Sequence, residues 1–347
     1  MGKTLKIGNA EVKIQSYDDK CIFMGKKDIH CLVYNKELRE KEKNLSKEKR
    51  CQGFNKKCEF FAGSSPFVPA YDEHYLLPQK ESEILAYALS DKDGKGDNVL
   101  IFGKPGTGKS SLVKQLAAIL NWGVEQFSCS EETTSAKIIG QWIVVGKSMQ
   151  WIDGCITNAM KNGFILLEDE ADFMRPELRG EVHGIMEEEG SVTLTSLHPK
   201  TGQPFREIIT KHPSFRWIST ANTIGYGDDL FVYHGTQYLN AASRDRYEII
   251  LQFDYRTPEE ELEIVTTKTK IDPIVASKMI EIANICRSDI NEDMVFQFSL
   301  RRLLAWARYW NQTPPEVAST LAVLNYYNQA DRHTVKSLIR THLNIET

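Results

Sequence analysis

Five short runs, in which apolar residues predominate or are interspersed with polar ones, mark the middle of the chain and predict β-strands. They cover residues 98–102, 123–129, 164–167, 215–222 and 248–253. Between the first two runs, apolar residues recur at helical spacing over 111–120, which predicts an amphipathic helix. Further helices are predicted over 155–161 and over 176–189, where Pro176 suits a first helical turn. The central part of the chain is therefore predicted to alternate between strands and helices.

Two stretches alternate between apolar and polar residues around turn-forming residues, a pattern typical of β-hairpins. The first covers 144–154 and follows a segment, 134–145, whose helical pattern breaks up before its end. The second covers 192–209 and turns at Lys200-Thr201-Gly202.

From residue 257 onward the pattern is helical, and it predicts a small all-α lid. Its helices are predicted over 258–268, 272–288, 299–310, 314–328 and 331–343. Together with a turn-rich boundary at 63–69, this divides the chain into three parts. They are an N-terminal segment (1–65), an α/β domain (66–255) and the lid (256–347).

The N-terminal segment differs from the rest of the chain in its composition and residue pattern. Residues 4–14 alternate weakly and predict a short pair of strands. The run 36–50 is dense in Lys, Arg and Glu, and a solvated helix or linker is favoured there over a basic docking face. Its four cysteines are Cys21, Cys31, Cys51 and Cys58. Because they contain no C-x2-C pair, separate reduced thiols are favoured over a structural zinc site.

Composition and charge narrow the class of protein only slightly. The 347 residues are 41% hydrophobic and 26% charged, with a formal net charge of -4, as in a soluble globular protein of two or three packed units. The weak acidity disfavours a dedicated nucleic-acid binder, although a local basic patch would still allow such contacts. No apolar run approaches the roughly 20 residues of a membrane span. Seven cysteines without a signal peptide indicate reduced thiols in the cytoplasm.

The most specific motif lies between the first strand and its helix, where residues 103–110 have the spacing G-x4-G-K-S. Gly103, Gly106 and Gly108 permit backbone conformations that turn successive N–H groups inward around phosphate oxygens, and the following helix adds its positive dipole end. Lys109 supplies a cation for the β- and γ-phosphates, and the Ser110 hydroxyl is placed to ligate Mg²⁺. The predicted nucleotide contacts are Gly103, Pro105, Gly106, Thr107, Gly108, Lys109, Ser110 and Ser111.

Three consecutive acids follow the third apolar run, as is typical of a strand end that carries ligands. Asp169 can hold Mg²⁺ through water, and Glu170 can polarise the water that attacks the γ-phosphate. Glu168 is expected on the opposite face of the strand. An acidic exit from a surface strand is the alternative, and the phosphate loop upstream disfavours it.

Further candidates for catalysis lie downstream. Asn222, at the end of the fourth run, can orient the attacking water or form a turn. Arg244 and Arg246 both lie where one subunit could reach a neighbour's nucleotide, and a local ion pair is the alternative. Arg301, favoured over Arg302, begins a lid helix from which an arginine can fold back onto the γ-phosphate.

These motifs together resemble the AAA+ ATPases, and the two hairpins resemble those of the MoxR-type clade. More narrowly, residues 211–229, 233–240 and 245–247 are similar to the CobS-type ATPase subunit of aerobic cobalt chelatases. The segment His234-Gly235-Thr236-Gln237 is more specific than the phosphate loop. The resemblance covers about residues 66–347.

The resemblance implies an α/β AAA+ P-loop domain of three αβα layers with a parallel five-stranded sheet, followed by a small all-α lid. It implies ATP and Mg²⁺ as cofactors, with Asn222 as the first sensor, Arg246 as an arginine finger in trans and Arg301 as the second sensor. It also implies a homo-oligomeric, hexameric ring and a partner with a von Willebrand A-type metal-binding domain. In the chelatase, such a ring drives the insertion of cobalt into a corrin-type ring.

Two departures from the family pattern leave the substrate open. The first 60 residues match nothing in it, and Lys104-Pro105 replaces the usual aromatic residue and histidine. A MoxR-like activase of another metalloenzyme is the near alternative, and a nucleic-acid-associated ATPase that uses 36–50 is a further one. A scaffold without turnover is disfavoured by Asp169 and Glu170. On the first hairpin, Lys147, Met149 and Trp151 are candidates for pore contacts, with a packed, inward Trp151 as the alternative.

Overall fold

The computed structural model describes residues 4–7, 10–13, 65–90, 96–146, 148–197, 204–223, 241–288 and 298–346. Cys21, Cys31, Cys51 and Cys58, the run 36–50 and the segment 233–240 lie outside these ranges, so the predictions that concern them stay predictions. Within these ranges, no helix combines the length and the apolar character needed to cross a bilayer.

The described strands are β1 (Thr4–Ile7), β2 (Ala10–Lys13), β3 (Val99–Phe102), β4 (Val124–Ser128), β5 (Gly140–Val145), β6 (Ser148–Asp153), β7 (Ile165–Asp169), β8 (Ser191–Leu197), β9 (Pro204–Thr210), β10 (Arg216–Ala221) and β11 (Ile249–Gln252). The described helices are α1 (Gln79–Leu89), α2 (Lys109–Ile119), α3 (Ser135–Ile138), α4 (Cys155–Asn162), α5 (Pro176–Met186), α6 (Ala241–Arg244), α7 (Pro258–Thr269), α8 (Pro273–Arg287), α9 (Leu300–Trp310), α10 (Pro315–Ala322) and α11 (Gln329–Leu343). The predicted strand pair near the N-terminus is confirmed as the antiparallel pair β1–β2.

The five strands predicted from the apolar runs form one parallel sheet in the order β11-β3-β10-β7-β4. Alternation along each strand decides which helices cover which face. On β7, Ile165 and Leu167 pack with residues of α1 and α2, whereas Leu166 packs with residues of α4 and α5. The sheet is therefore buried on both faces, as parallel sheets are, and the predicted three-layer αβα domain is confirmed.

The first hairpin is longer than the predicted 144–154, because β5 begins at Gly140. Trp142 lies opposite Trp151, and their ring centroids are 5.5 Å apart. Trp151 also packs against the core of the sheet and donates to Asp153 at 2.6 Å, which matches the inward alternative for this residue. Lys147 and the Met149 side chain lie outside the described parts of the chain.

The second hairpin, β8–β9, is confirmed close to its predicted position. The two hairpins touch each other, since Trp142 Nε1 donates to the Thr195 carbonyl oxygen at 3.2 Å.

The lid has its own core around the fully buried residues Phe298 and Trp306. Side chains that accept backbone N–H groups precede four of the described lid helices: Thr257 before α7, Asp272 before α8, Ser299 before α9 and Asn328 before α11. The prediction of one helix over 314–328 is wrong at its end. The chain turns at Val323, and a 3₁₀ segment (Leu324–Tyr326) carries Leu324 and Tyr327 into the lid core.

Candidate functional site

The glycine-rich loop joins the end of β3 to the start of α2, and its glycines have positive φ values. At Gly103 (φ 149°) a Cβ would lie 2.2 Å from the Phe253 carbonyl oxygen, next to strand β11. At Gly106 (φ 72°) a Cβ would lie 2.6 Å from the Ser299 Cβ, at the start of lid helix α9. Glycine is therefore required at both positions, by the sheet at one and by the lid at the other.

Lys109 is buried beneath this loop and binds its carbonyl oxygens. Its Nζ donates to Gly103 at 2.6 Å, to Lys104 at 3.1 Å and to the Asn222 side chain at 3.2 Å. Burial lowers the pKa of Lys109 to about 8, although Asp172 and other nearby acids raise it in part. A bound phosphate would favour the charged ammonium, because an opposite charge at close range stabilises it.

Ser110 and Asp169 supply the oxygen atoms that a magnesium ion needs. Ser110 Oγ donates to Asp169 Oδ1 at 2.7 Å, and Thr220 donates to the same oxygen. Gln126 donates to Asp169 Oδ2 at 3.1 Å. Hydroxyl and carboxylate oxygens fit Mg²⁺, which takes few protein ligands and completes its shell with water and phosphate oxygens. The described residues contain no cluster of three or more His, Cys, Asp or Glu suited to a metal.

Glu170 is held in an uncommon backbone conformation at the end of β7. Its φ of 58° and ψ of 46° are left-handed, a conformation that residues other than glycine adopt infrequently. Its N–H donates to Thr220 Oγ1 at 3.3 Å. Burial, followed by repulsion from Asp169 and Asp172, raises the pKa of Glu170. A carboxylate with a raised pKa is a better proton acceptor at neutral pH.

Asp172 is a site residue that the sequence prediction missed. Its Oδ2 accepts N–H groups from Asn222 at 3.0 Å and Thr223 at 3.2 Å. The residue is fully buried, and burial raises its pKa. Asp172 therefore fixes the backbone from which the Asn222 side chain reaches Lys109. Its position in the sequence, two residues after Glu170, could have identified it as a candidate site residue.

The two adjacent lid arginines have different surroundings. Arg301 lies close enough to Lys109 and Glu170 to affect the pKa of both, and its Cβ is 3.8 Å from the point where a Gly106 Cβ would be. Arg302 turns into the lid, where it donates to the Ala322 carbonyl oxygen at 3.1 Å and stacks 4.2 Å from the Tyr326 ring centroid. The geometry thus favours Arg301 as the arginine that reaches the loop.

Arg246 forms an ion pair with a residue of its own chain, as expected from the alternative to a finger in trans. Its Nη2 is 2.7 Å from Glu187 Oε1, and its Nη1 donates to the Ala242 carbonyl oxygen. Its backbone carbonyl accepts from Asn98, which directly precedes β3. The role of Arg246 as a finger in trans stays a prediction.

Comparison with known proteins places these residues in a family. The profile of the AAA domain (dynein-related subfamily) matches residues 98–246, and that of the CbbQ/NirQ/NorQ C-terminal domain matches residues 261–342. The chain is 30% identical over 258 residues to the aerobic cobaltochelatase subunit CobS of Sinorhizobium sp, covering 71% of this chain and 74% of CobS. The chain belongs to the CobS-related, MoxR-type AAA+ ATPases.

Two further relatives of this AAA+ ATPase have lower sequence identity. Protein CbbQ of Hydrogenophilus thermoluteolus is 27% identical, over 53% of this chain and 63% of CbbQ. Protein NorQ of Paracoccus denitrificans is 25% identical, over 65% of this chain and 76% of NorQ. Among solved structures, the RuvB Holliday junction branch migration motor of Thermotoga maritima has a TM-score of 0.44 at 16% identity, covering 79% of this chain and 72% of RuvB.

Glu168 departs from the apolar character of β7, the strand that leads into the candidate acids Asp169 and Glu170. It is completely buried on the face opposite Asp169, as predicted, and pairs with Arg179 of α5 at 2.7 Å. Burial raises the pKa of Glu168, but the Arg179 guanidinium and hydrogen bonds from Ser219 and Trp217 lower it more, so the net pKa lies below the ordinary value. The pair is therefore ionised within the core.

A half-buried lysine, Lys211, lies at the end of helix α5. Lys211 Nζ donates to the carbonyl oxygens of Glu187 at 2.5 Å and Met186 at 3.4 Å, and lies 5.9 Å from the Phe215 ring centroid. Helix α5 ends at Met186 rather than at the predicted residue 189, and Lys211 binds carbonyl oxygens that have no partner within the helix. Burial lowers the pKa of Lys211 to about 8.

We expect the native protein to gain stability relative to Lys211→Met as the pH rises from about 8 to about 10. Folding lowers the pKa of Lys211 from 10.5 to about 8, so in this window the unfolded chain binds the additional proton and low pH favours unfolding. The difference in unfolding free energy should change by at most about 1.4 kcal/mol per pH unit. Denaturant titrations of both proteins across this range measure it, and a flat difference would mean an ordinary pKa.

Proposed function

We propose that this AAA+ ATPase hydrolyses ATP at the loop 103–110 and uses the energy to remodel a partner protein. The observation that carries the proposal is the arrangement at the end of β7. Ser110 and Asp169 share a hydrogen bond of 2.7 Å, and Glu170 follows directly in a left-handed backbone conformation. A metal-binding pair and a carboxylate base therefore lie beside one phosphate loop.

The residues that bind nucleotide have separate tasks. Lys109 offsets the charge of the phosphates, and Arg301 joins them to the lid. Ser110 and Asp169 would hold Mg²⁺, which when bound supplies Lewis-acid polarisation of the phosphate oxygens. Pro105, Thr107, Ser111 and the loop glycines shape the cradle around them.

Two residues act on the attacking water. Glu170 accepts its proton, and the raised pKa of this carboxylate suits that task at neutral pH. Asn222 orients the water, because Asp172 holds its backbone and Lys109 holds its side chain 3.2 Å away. Hydrolysis then releases ADP and phosphate.

We propose that the active form is a homo-oligomeric ring of six subunits, in which Arg246 of one subunit completes the site of the next. Arg246 lies just before β11, and β11 is an edge strand of the central sheet, so this segment is at the side of the domain. A guanidinium that approaches the γ-phosphate from a neighbour would stabilise the charge that develops during transfer.

The remodelled partner is proposed from the relatives. Similarity to the cobaltochelatase subunit CobS supports assistance to metal insertion into a corrin-type ring, with a partner that carries a von Willebrand A-type metal-binding domain. The match of the lid to the CbbQ/NirQ/NorQ C-terminal domain favours the second candidate, an activase for another metalloenzyme. The net charge of -4 gives no support to a nucleic-acid-associated ATPase.

Affinity capture tests the remodelling role. The full-length Glu170→Gln protein, loaded with ATP, should retain its partner from a lysate of the source cells, because ATP that is not hydrolysed keeps the ring in its binding state. Glu170→Gln combined with Lys109→Ala is the matched control, since it lacks the phosphate-binding cation. A von Willebrand A-type partner together with a corrin-binding protein supports the chelatase version, and another metalloenzyme supports the activase. Identical retention by both variants would contradict remodelling.

A further inference from the structure

One buried carboxylate joins several elements beneath the candidate site. Glu168 Oε2 accepts hydrogen bonds from Ser219, from Trp217 Nε1 at 3.2 Å and from the Tyr247 hydroxyl at 3.4 Å. The Ser219 and Tyr247 hydroxyl oxygens are themselves 2.9 Å apart. On its other side, Glu168 Oε1 is 2.7 Å from Arg179 Nη1. All these side chains lie on the face of the sheet that α5 covers.

The elements joined in this way carry three different candidate residues. Glu168 directly precedes Asp169 and Glu170 on β7. Ser219 lies on β10, three residues before Asn222. Tyr247 directly follows Arg246. The base, the sensor and the arginine finger are therefore all within three residues of one hydrogen-bonded cluster.

Helix α5 makes a second connection between the same places. At its start, Arg179 Nη2 donates to the Ala171 carbonyl oxygen at 2.8 Å, directly after Glu170. Near its end, His183 shares a hydrogen bond of 2.7 Å with Ser243 of α6. Beyond the last turn, Glu187 pairs with Arg246. One helix thus contacts the segment after Glu170 and the segment that includes Arg246.

Stability alone does not account for this cluster. Well-packed apolar residues of similar volume are often as stable as a buried ion pair, because removing two charges from water is costly. A network with fixed partners has discrete arrangements, however, and such an element can pass a change at one end to the other.

We propose that Glu168, Arg179 and Tyr247 are positioning residues that couple the nucleotide state of one subunit to its own Arg246, and so to turnover in the next subunit. This coupling rests on the proposed function, in which Arg246 acts in trans. When the end of β7 changes its position with nucleotide state, the Tyr247 hydroxyl and the arginine segment change with it.

Mixed rings test the coupling without affecting catalysis in the variant subunit. Native subunits are mixed with Glu170→Gln subunits that carry either native Tyr247 or Tyr247→Phe, and the ATP turnover of the native subunits is measured. Tyr247→Phe removes only the hydroxyl that reaches Glu168, on a subunit that already cannot hydrolyse ATP. Tyr327→Phe in the lid core is the matched control, since Tyr247 and Tyr327 are 5% and 6% exposed.

At equal mixing, half of the subunits are native, so subunits that work independently give about 50% of native turnover. With full coupling, a native subunit hydrolyses ATP only when the subunit that supplies its Arg246 is also native, which leaves about 25%. We expect about 25% with Glu170→Gln alone and with Tyr327→Phe added, and about 50% with Tyr247→Phe added. Equal turnover with Tyr247→Phe and Tyr327→Phe would overturn the coupling.

A separate mixture identifies a failure of the proposed function itself. Arg246→Ala subunits and Lys109→Ala subunits, each inactive alone, should regain activity together if Arg246 acts in trans. Recovery here with no effect of Tyr247→Phe would reject the coupling alone. No recovery would reject the trans role of Arg246, and the coupling with it.

Discussion

We expect the Glu170→Gln variant to bind ATP normally and to hydrolyse it at least about 100-fold more slowly. Glutamine keeps the size of the side chain but cannot accept the proton of the attacking water. The groups that hold the phosphates keep their own partners, since Lys109 binds Asn222 at 3.2 Å and Ser110 binds Asp169 at 2.7 Å. Single-turnover hydrolysis and titration with a fluorescent nucleotide measure the two effects separately.

The matched control is Glu177→Gln, an exposed acid in the first turn of α5, which should leave turnover unchanged. If hydrolysis survives in Glu170→Gln, the base is a different carboxylate. Asp172 is then the next candidate, because its pKa is raised by burial and its Oδ1 has no hydrogen-bond partner among the described residues.

We expect Arg179→Met to lower the free energy of unfolding by about 3–5 kcal/mol. The Arg179 side chain is only 4% exposed, and its removal leaves the fully buried Glu168 carboxylate without a counter-charge. The Ala171 carbonyl oxygen also loses its hydrogen bond at 2.8 Å. Denaturant unfolding of the nucleotide-free protein measures the loss.

Two further variants make this prediction specific. Glu168→Leu combined with Arg179→Met removes both charges and should be at least about 1 kcal/mol more stable than Arg179→Met alone, because no buried charge is left unpaired. Arg332→Met, at an exposed position on α11, should change stability by no more than about 0.5 kcal/mol. A double variant as unstable as Arg179→Met would show that packing, rather than the unpaired charge, causes the loss.

The strands, the phosphate loop and the acidic strand end were predictable because their signals are local. A buried strand such as β3 is a continuous apolar run, and the loop from Gly103 to Ser110 has a fixed spacing. The start of the first hairpin was not predictable in this way. Residues 140–145 suit a helix or a strand, and the pairing of Trp142 with Trp151 across the hairpin selects the strand.

Side chains that enter the site from other strands were also missed, and for a related reason. Thr220 and Gln126 reach Asp169 only because β10 and β4 flank β7 in the sheet. Strand order is a property of the folded domain, so the sequence alone left these residues unassigned. The ionised pair of Glu168 and Arg179 depends on the same packing. The choice between Arg301 and Arg302, in contrast, required only the correct face of one helix.

The contact between Gly106 and Ser299 has a consequence for engineering the protein. The clearance between loop and lid is smaller than one methyl group, because a Cβ at residue 106 would lie 2.6 Å from the Ser299 Cβ. A single added carbon would therefore push the start of α9 away from the loop, and the displacement of the helix would grow with distance along it. A substitution at residue 106 would thus change the angle between the lid and the α/β domain.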